Sequence, residues 1–388
     1  MNLGYFSHTN FSVSETFIYD LVNDLSKVRD INLIYYSGRR RGKIDNDFNL
    51  NYKLTGYSDT GETLSYLVYK IGQVFGSGRG FRWKSFTQRK LANYSVNKNV
   101  RLKLDLAYVD YANSAVLLRE YFEENNIPYV VHVHGYDITS SVNDPAYLEQ
   151  LGYVFNSAKY LIAASDYMRR LLLLLGAKDE KIRVIRYGID VKSITPMDWQ
   201  SRLKFKPSVI FLGRLTAKKH PIALLYAFNL VLLSIPDAIL TIIGDGPLMP
   251  ELKKRILDLN IKDSVFLLGS LKRTDSFPIL NKHWVYAQHS VTAPNGDQEG
   301  YAISPAEAAA HELPVVSTIH NGINEHVQDG ITGYLVPEFD FEKMAERIIH
   351  LLRNPQLAER MGKAGRINIQ LMNNRESRLS QIIALLLQ

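Results

Sequence analysis

The sequence predicts an α/β protein built from two successive, doubly wound parallel sheets. Short apolar runs rich in Val, Ile, Leu and Tyr alternate with longer amphipathic stretches, which is typical of βαβ units. The pattern restarts after residue 205, and 388 residues are enough for two domains. With 46% hydrophobic and 22% charged residues, the composition favours a folded globular chain over a disordered or fibrous one.

Twelve strands are predicted, six in each half. In the first half they lie near residues 3–6, 31–36, 106–109, 129–134, 161–164 and 183–186. In the second half they lie near residues 209–212, 239–243, 265–268, 285–288, 314–317 and 333–336. Each strand is followed by a stretch long enough for a crossover helix, so both sheets should be parallel.

The domain boundary is predicted in the polar stretch 191–206, which has no periodic pattern and contains Pro196. This stretch separates a first domain, 1–190, from a second domain, 207–367. A last helix, about 368–388, is expected to pack back onto the first domain. Open α/β sheets bind ligands at the carboxyl ends of their strands, so we expect the active site in a cleft between the domains.

Several classes of protein are excluded by what the sequence lacks. Without cysteine there is no disulfide, thiolate nucleophile or cysteine-bound zinc. Apolar runs such as Leu171–Leu175 and Ile382–Leu387 are far shorter than the roughly 20 residues of a membrane-spanning helix. No secretory signal is visible at the N-terminus, and we therefore expect a cytoplasmic protein.

The positive charge is concentrated in residues 39–103. This segment holds 14 Lys/Arg and 4 Asp/Glu, a balance of +10, whereas the whole chain carries +7. Aromatic residues interleave with the cations, for example around Trp83. Three interpretations are open: a solvated basic face whose aromatics point into the core, an anionic membrane surface, and nucleic acid. Of the two partners we expect the membrane, and no nucleic acid.

A first candidate anion site follows the first strand of the second half. Gly213 stands at a strand-to-helix turn, where a glycine lets the backbone approach a phosphate. Arg214, Lys218 and Lys219 come directly after it and can neutralise a diphosphate. The alternative is a surface turn with solvated cations.

A second candidate site contains two glutamates, Glu299 and Glu307, eight residues apart. Ser304, Pro305 and Glu307 have the pattern of N-cap, N1 and N3, which predicts a helix start whose free amides bind an anion. The alternatives are a capping-box role for Glu307 and a plain loop carboxylate for Glu299.

At these residues the chain resembles the retaining glycosyltransferases of GT-B fold, specifically family 4, which builds bacterial exopolysaccharides and lipopolysaccharides. The E-G-x-x-x-x-x-x-E element at Glu299 and Glu307 is similar to the family's donor-site signature. GRLTAKKHP, RVIRYGID, PVVST and DGITGYLVP resemble further family motifs, and all occur in family order. SETFI and HVHGYD in the first half resemble the branch that contains colanic-acid-type transferases.

The resemblance implies roles for individual residues. Arg214 and Lys219 would grip the donor diphosphate, Glu307 would bind the ribose hydroxyls, and Glu299 would contact the transferred sugar. His134 would orient that sugar. The remaining donor contacts would be Gly213, Ser14 and Thr16, together with the amides of Gly300, Tyr301, Ala302 and Ile303.

The same resemblance implies a mechanism without metal or cofactor. In retaining members of this fold the acceptor attacks from the face that the phosphate leaves, so a pair of carboxylates at glycosidase spacing is not needed. The single D-x-D string, 45–47, stands in a polar loop and does not indicate a metal-dependent enzyme. His220 and Asn324 depart from the family's usual glycine and proline, and Ala302 also departs from its pattern.

The function predicted on this basis is sugar transfer from a UDP- or GDP-sugar to a lipid-linked or growing cell-surface polysaccharide, at the inner face of the cytoplasmic membrane. The alternatives are a nucleotide-sugar epimerase or a phosphorylase of similar architecture, and a non-catalytic sugar-nucleotide binding subunit. A phosphorylase is disfavoured because no segment for its pyridoxal phosphate is visible. The joint presence of Arg214, Lys219, Glu299 and Glu307 argues against a binding subunit.

Overall fold

The computed structural model describes residues 1–9, 15–39, 51–58, 62–74 and 77–388. These residues divide into two units. The first unit comprises residues 1–185 and 379–388, and the second comprises residues 186–378. The chain therefore changes unit between Ile185 and Arg186, and its last ten residues belong to the first unit.

The first unit is a parallel sheet flanked by helices. Its strands are β1 (Asn2–Thr9), β2 (Asn32–Arg39), β3 (Asn51–Leu54), β4 (Leu106–Asp110), β5 (Tyr129–His132), β6 (Tyr160–Ala163) and β7 (Ile182–Val184). Its helices are α1 (Thr16–Ser26), α2 (Glu62–Val74), α3 (Ser77–Asn99), α4 (Ala112–Glu124), α5 (Pro145–Ser157) and α6 (Asp166–Leu174). The strand order is β3-β2-β1-β4-β5-β6-β7, so the chain reverses direction across the sheet between β1 and β4.

Tyrosines form a row across four neighbouring strands of this sheet. Tyr52, Tyr35, Tyr5 and Tyr108 lie in register, with adjacent ring centroids 5.9, 5.7 and 4.8 Å apart. In-register aromatic side chains on paired strands stabilise a sheet by stacking. The Tyr5 hydroxyl donates to Asp110, so the row connects the core to the carboxyl edge of the sheet.

The second unit repeats this architecture with six strands. Its strands are β8 (Ser208–Leu212), β9 (Ile239–Ile243), β10 (Val265–Gly269), β11 (Val285–Gln288), β12 (Val315–Thr318) and β13 (Gly333–Val336). The helices after the boundary are α7 (Trp199–Arg202), α8 (Pro221–Ser234), α9 (Met249–Asp258), α10 (Arg273–Leu280), α11 (Ile303–Ala310), α12 (Phe341–Arg353), α13 (Pro355–Met372) and α14 (Arg375–Leu386), the last of which continues into the first unit. The order is β10-β9-β8-β11-β12-β13, so here the direction reverses between β8 and β11.

The predicted fold class is confirmed: both sheets are parallel, and each of the twelve predicted strands corresponds to an observed one. The sequence pattern missed β3, because this four-residue edge strand is exposed or half-buried along its length and has no apolar run. In the described part of the chain, no helix is long and apolar enough to cross a membrane.

Residues 191–206, predicted to be a linker, lie in the second unit and are packed there. Trp199 and Arg202 are buried, and the Arg202 guanidinium lies over the Trp199 ring. This guanidinium donates to three main-chain oxygens of neighbouring segments at 2.9 to 3.1 Å. A buried arginine that satisfies backbone carbonyls makes the stretch polar in sequence although it is part of a core.

Candidate functional site

The strongest candidate site lies at the carboxyl edge of the second sheet, where β8 and β11 end side by side. In open α/β sheets the reversal of strand order leaves a crevice at this edge. Residues 213–219 follow β8, and residues 289–302 connect β11 to α11. The two segments that the sequence singled out are therefore brought to one place.

Gly213 makes room for Lys219. Its φ of +155° is unusual for other residues, and a Cβ there would lie 3.0 Å from Lys219 Cδ and 3.1 Å from Cε. Any side chain at position 213 would therefore force the Lys219 side chain to shift by a few tenths of an ångström. Gly213 is therefore needed for the position of the Lys219 side chain as well as for the turn.

Lys219 and Glu299 form a buried ion pair. Lys219 Nζ lies 3.0 Å from Glu299 Oε1, and the side chains are 12% and 8% exposed. Burial alone would raise the pKa of Glu299, but Lys219 and then Lys218 outweigh it and lower that pKa to about 2. Glu299 is therefore an anion at neutral pH. It can accept hydrogen bonds from a ligand but cannot serve as a general acid.

His320 and Glu338 hold the Glu299 loop in place. The Glu299 amide donates to His320 Nε2 at 3.2 Å, so the ring proton is on Nδ1, which lies 2.5 Å from Glu338 Oε1. The other Glu338 oxygen accepts from the amide of Thr292 at 2.9 Å. No role of His320 at the site was predicted from the sequence, because nothing local connects it to Glu299.

Helix α11 begins two residues before the predicted start, so the N-cap prediction for Ser304 is wrong. The cap position is Ala302, which has a φ of +60° and makes no side-chain cap bond. The Ser304 hydroxyl instead accepts from Tyr286 at 3.0 Å and donates to Gln288 at 3.2 Å. Gln288 Oε1 also lies 3.4 Å from Lys219 Nζ, so it connects the β8 turn to the start of the helix.

The start of α11 presents main-chain donors. Across the described residues, the amides of Tyr301, Ala302 and Ile303 have no protein acceptor, as expected for the first turn of a helix. The Tyr301 side chain is buried and bonds to Asn373, so only its amide faces the loop. Gly322 packs against this loop so closely that a Cβ would lie 2.1 Å from the Gly300 oxygen.

Glu307 is paired with Arg273, a residue that the sequence analysis missed. Arg273 Nε and a terminal guanidinium nitrogen lie 2.8 and 2.7 Å from Glu307 Oε1. Glu307 is 8% exposed and Arg273 is 30% exposed, so the pair lies at the border of the site. Glu307 therefore has a structural partner and is not a capping-box residue.

Arg214 differs from the other predicted site residues. It is exposed, and no ion pair or side-chain hydrogen bond to another described residue is made by its guanidinium. Its neighbour Lys218 is instead paired with Asp297 at 3.1 Å. Arg214 is thus the cation of this group that is most available to a ligand.

His220, which stands where the family has glycine, keeps the backbone conformation that glycine favours. Its φ and ψ are +41° and +56°, in the left-handed region. The imidazole Nδ1 accepts from the Ala223 amide at 3.0 Å, so the side chain caps α8. Because of this capping bond, the replacement preserves the turn that carries Lys219.

In the first unit, His134 is held by a buried carboxylate. Its Nε2 lies 2.8 Å from Asp110 Oδ1, and both side chains are at most 2% exposed. The other Asp110 oxygen accepts from Tyr5, so both carboxylate oxygens are used. The rings of Phe17 and Tyr111 pack on the imidazole at 4.9 and 4.4 Å. Asp110 was not predicted as a site residue. It is the last residue of β4, and His134 comes shortly after the end of β5.

Of the two contacts predicted near the first helix, Thr16 lies within the described residues and Ser14 does not. Thr16 is the first residue of α1 and is half-buried. Ser14 lies outside the residues that the structure describes, as does the D-x-D string 45–47. Next to Thr16, Glu15 accepts from the Tyr111 hydroxyl at 2.9 Å, and Tyr111 has a φ of +67°. Such backbone strain is common at functional sites.

Among the described residues, one cluster has the composition of a metal site. Asp110, His132 and His134 offer ligand atoms within 4.8 Å of one another. Asp110 already accepts from Tyr5 and His134, and His132 Nδ1 lies 2.7 Å from the Tyr108 hydroxyl. These bonds account for the cluster as a hydrogen-bonded network that fixes His134.

The fold and this site define a class: a two-unit α/β protein whose second sheet carries an anion-binding helix start, an exposed arginine and a buried Lys–Glu pair at its switch point. Such sites suit phosphorylated ligands. Residues 196–368 match the family described as Glycosyl transferases group 1, and residues 14–193 match Glycosyltransferase Family 4. The chain therefore belongs to the glycosyltransferases that these two descriptions cover, and its fold is GT-B.

Named relatives are similar to parts of the chain. The amylovoran biosynthesis glycosyltransferase AmsK of Erwinia amylovora is 29% identical over 56% of this chain and 53% of its own length. A GDP-mannose-dependent monoacylated alpha-(1-6)-phosphatidylinositol monomannoside mannosyltransferase of Corynebacterium glutamicum is 28% identical over 62% of this chain and 65% of its own. The chain thus spans about half the length of AmsK in this match.

A solved structure with the same fold covers nearly the whole chain. It is that of Anabaena HepE in complex with UDP and glucose, with a TM-score of 0.76 and 18% identity over 99% of this chain and 98% of that one. At this identity the likeness confirms the fold alone.

Proposed function

We propose that this protein is a retaining, metal-independent glycosyltransferase that moves a sugar from a UDP- or GDP-sugar to a lipid-linked or growing surface polysaccharide. The observation that carries the proposal is the Lys219–Glu299 pair beside the unpaired amides of α11, at the switch point of the second sheet. It combines a fixed cation, main-chain donors for a phosphate and a carboxylate for sugar hydroxyls.

In this proposal the diphosphate of the donor lies at the start of α11. The amides of Tyr301, Ala302 and Ile303 donate to its oxygens, and Arg214 reaches it from the β8 turn. As the bond to the sugar breaks, negative charge grows on the phosphate. Donors and cations that are already in place stabilise that charge without reorganisation, which is the role that a metal ion has in other transferases.

Glu299 and Glu307 have separate roles here. Glu299 stays ionised at neutral pH, and it accepts hydrogen bonds from hydroxyls of the transferred sugar. Glu307 binds the ribose, and Arg273 keeps its carboxylate at the border of the site. Neither acts as a nucleophile, since retention is proposed to occur by attack from the face that the phosphate leaves.

The acceptor and donor classes follow from the relatives. AmsK is described as an amylovoran biosynthesis enzyme, and the Corynebacterium relative acts with GDP-mannose on a phosphatidylinositol monomannoside. HepE is crystallised with UDP and glucose. Taken together, these proteins favour a UDP- or GDP-sugar as the donor and a polysaccharide or glycolipid as the acceptor. A lipid-linked acceptor would bring the protein to the inner face of the cytoplasmic membrane.

The test has two stages. Thermal-shift measurements with UDP-, GDP-, ADP- and dTDP-sugars identify the donor base, and we expect stabilisation by a UDP- or GDP-sugar. With that donor, acceptor-dependent release of the nucleoside diphosphate is then measured, and NMR of the product gives the anomeric configuration. An epimerase would convert the sugar without an acceptor, and a binding subunit would release nothing. An inverted anomer would contradict the retaining mechanism.

A further inference from the structure

Helices α2 and α3 of the first unit expose large apolar side chains to solvent. On α2 the exposed residues Leu67, Ile71 and Val74 follow one another at intervals of four and three residues, which places them on one side of the helix. Val74 is 81% exposed. On α3, Trp83 and Phe86 are exposed in the same way. Contiguous exposed apolar groups of this size on a soluble protein commonly mark an interaction surface.

Cations accompany these apolar residues. Residues 62–99 contain seven Lys/Arg and one Asp/Glu, a balance of +6. The Lys70 ammonium lies 5.5 Å from the centre of the Tyr66 ring on α2, and that of Lys84 on α3 lies 5.9 Å from the Tyr69 ring. The second of these contacts joins the two helices. No acidic partner of Lys70 or Lys84 occurs among the residues that the structure describes.

The structure also shows which cations of this segment are used internally. Arg89 is buried and lies 3.1 Å from Glu120, so it belongs to the packing of α3 on α4. Lys90 pairs with the same glutamate at 2.8 Å, and Arg82 lies 3.5 Å from Glu149. Among the cations of this segment whose side chains are described, those without an acidic partner are therefore Lys70, Lys84 and the exposed Lys98.

We propose that the outward sides of α2 and α3 form a docking surface for an anionic lipid bilayer. Lysines attract the surface through its negative potential, and aromatic and aliphatic groups enter the region between headgroups and acyl chains. A soluble acidic polymer would pair with the lysines but would leave Leu67, Ile71 and Val74 in water. A second copy of the chain would bring a surface of the same positive charge. The bilayer satisfies both the charge and the apolar groups.

Trp83 provides a local signal for this contact. The chain has three tryptophans, and Trp83 is 42% exposed whereas Trp199 and Trp284 are 3% and 7% exposed. Both buried tryptophans lie in the second unit. A shift of the fluorescence maximum on addition of vesicles therefore reports on α3 itself, and the shift should disappear in Trp83→Phe.

The experiment uses the full chain and vesicles of phosphatidylglycerol mixed with phosphatidylcholine, with pure phosphatidylcholine for comparison. We expect co-sedimentation and a blue shift with the anionic vesicles only, both weakening as salt approaches 1 M, where the Debye length is about 3 Å. The Lys70→Gln, Lys84→Gln double variant should bind roughly 25-fold more weakly, about fivefold for each lysine. The Leu67→Ser, Ile71→Ser double variant should bind more weakly, while the salt dependence of its binding should stay unchanged.

The matched control is Lys253→Gln with Lys254→Gln, which removes the same charge from exposed positions of α9 in the second unit. Equal weakening by this control would overturn the proposal, since it would show a response to net charge alone. Sedimentation without a shift of Trp83 would place the contact elsewhere. Equal binding to soluble polyglutamate without a preference for vesicles would assign the surface to an acidic polymer. A parent protein that is oligomeric and becomes monomeric in the Leu67→Ser, Ile71→Ser variant would assign the surface to a second copy of the chain.

These measurements do not depend on sugar transfer. Vesicle binding by a protein that releases no nucleoside diphosphate would reject the proposed function and leave the surface established. Activity in the absence of any vesicle binding would reject the docking surface and leave the proposed function intact.

Discussion

The Lys219–Glu299 pair can be tested by Lys219→Met, which removes the ammonium and keeps an unbranched side chain that is one heavy atom shorter. In the folded protein Glu299 has a pKa of about 2, against an ordinary value of 4.5. Each pKa unit corresponds to about 1.4 kcal/mol, so the ionised carboxylate stabilises the fold by about 3 kcal/mol at pH 7. Without Lys219, burial raises this pKa again, and up to that amount should be lost.

The sign of the pH dependence follows from the direction of the shift. Because the pKa of Glu299 is lower in the folded than in the unfolded chain, its contribution is fully present above pH 4.5 and disappears as the pH falls through about 2. At pH 3 about half of it is left. The difference between the parent protein and Lys219→Met should therefore shrink from about 3 kcal/mol at pH 7 to about 1.5 kcal/mol at pH 3.

Urea unfolding at the two pH values measures this difference. In a Trp83→Phe background the fluorescence comes from Trp199 and Trp284, which are both buried in the unit that contains the pair. Lys218→Met is the matched control, since Lys218 pairs with Asp297 and has a weaker influence on Glu299. We expect a smaller loss for this variant.

A loss that is the same at pH 7 and pH 3 would refute the reasoning, because it would show that Lys219 acts through packing and not through the charge of Glu299. A loss as large in Lys218→Met would refute the assignment of the effect to the 3.0 Å contact.

Four further predictions concern the proposed reaction. Arg214→Ala should reduce turnover by roughly 100-fold, since a preorganised charge facing the leaving group is worth about 3 kcal/mol, and Arg214→Lys should recover little; near-normal steady-state rates in the alanine variant would argue against a diphosphate contact. Glu307→Ala should weaken binding of the free nucleoside diphosphate in calorimetry, whereas Glu299→Ala should spare it and lower turnover, and equal loss of affinity in both would contradict their separate roles. Asp110→Asn should reduce turnover by about 10-fold or more, because a charge-assisted hydrogen bond to His134 is worth about 1.5 to 3 kcal/mol; a steady-state rate near that of the parent protein would show that this hydrogen bond does not contribute to turnover. Activity should survive EDTA, and complete inactivation that Mn²⁺ reverses would indicate a metal-dependent mechanism.

Much of the candidate site was predictable because its signals are local. The turn after β8 is marked by a glycine and cations within seven residues, from Gly213 to Lys219. The glutamates are eight residues apart, with a helix start between them. Backbone conformation and helix period act over such short spans, so the spacing carries the geometry.

The partners of these residues could not be predicted, since they are distant in sequence. Arg273 is 34 residues from Glu307, Glu338 is 18 residues from His320, and Asp110 is 24 residues from His134. Parallel strands require long crossovers, so the carboxyl ends of neighbouring strands bring together residues with no local relation.

The same limit explains the error at Ser304. The pattern of Ser304, Pro305 and Glu307 is that of a capped helix, and intrinsic preference favours it. In the folded unit Tyr286 and Gln288 from β11 bind the serine hydroxyl, and Arg273 binds the glutamate. Tertiary partners therefore replaced the local capping bonds.

By itself the sequence determined the two parallel sheets, the family resemblance and the positions of the motifs, because apolar period and turn chemistry are properties of short segments. Only the tertiary structure decided which charges are available to a ligand or a surface. Arg89 and Lys70 belong to the same basic segment, yet Arg89 is buried against Glu120 and Lys70 is exposed on α2. Likewise, Lys219 is neutralised by Glu299 while Arg214 is exposed. The free energy of a charge depends on its burial and on partners supplied by other elements, and neither exists until the chain has folded.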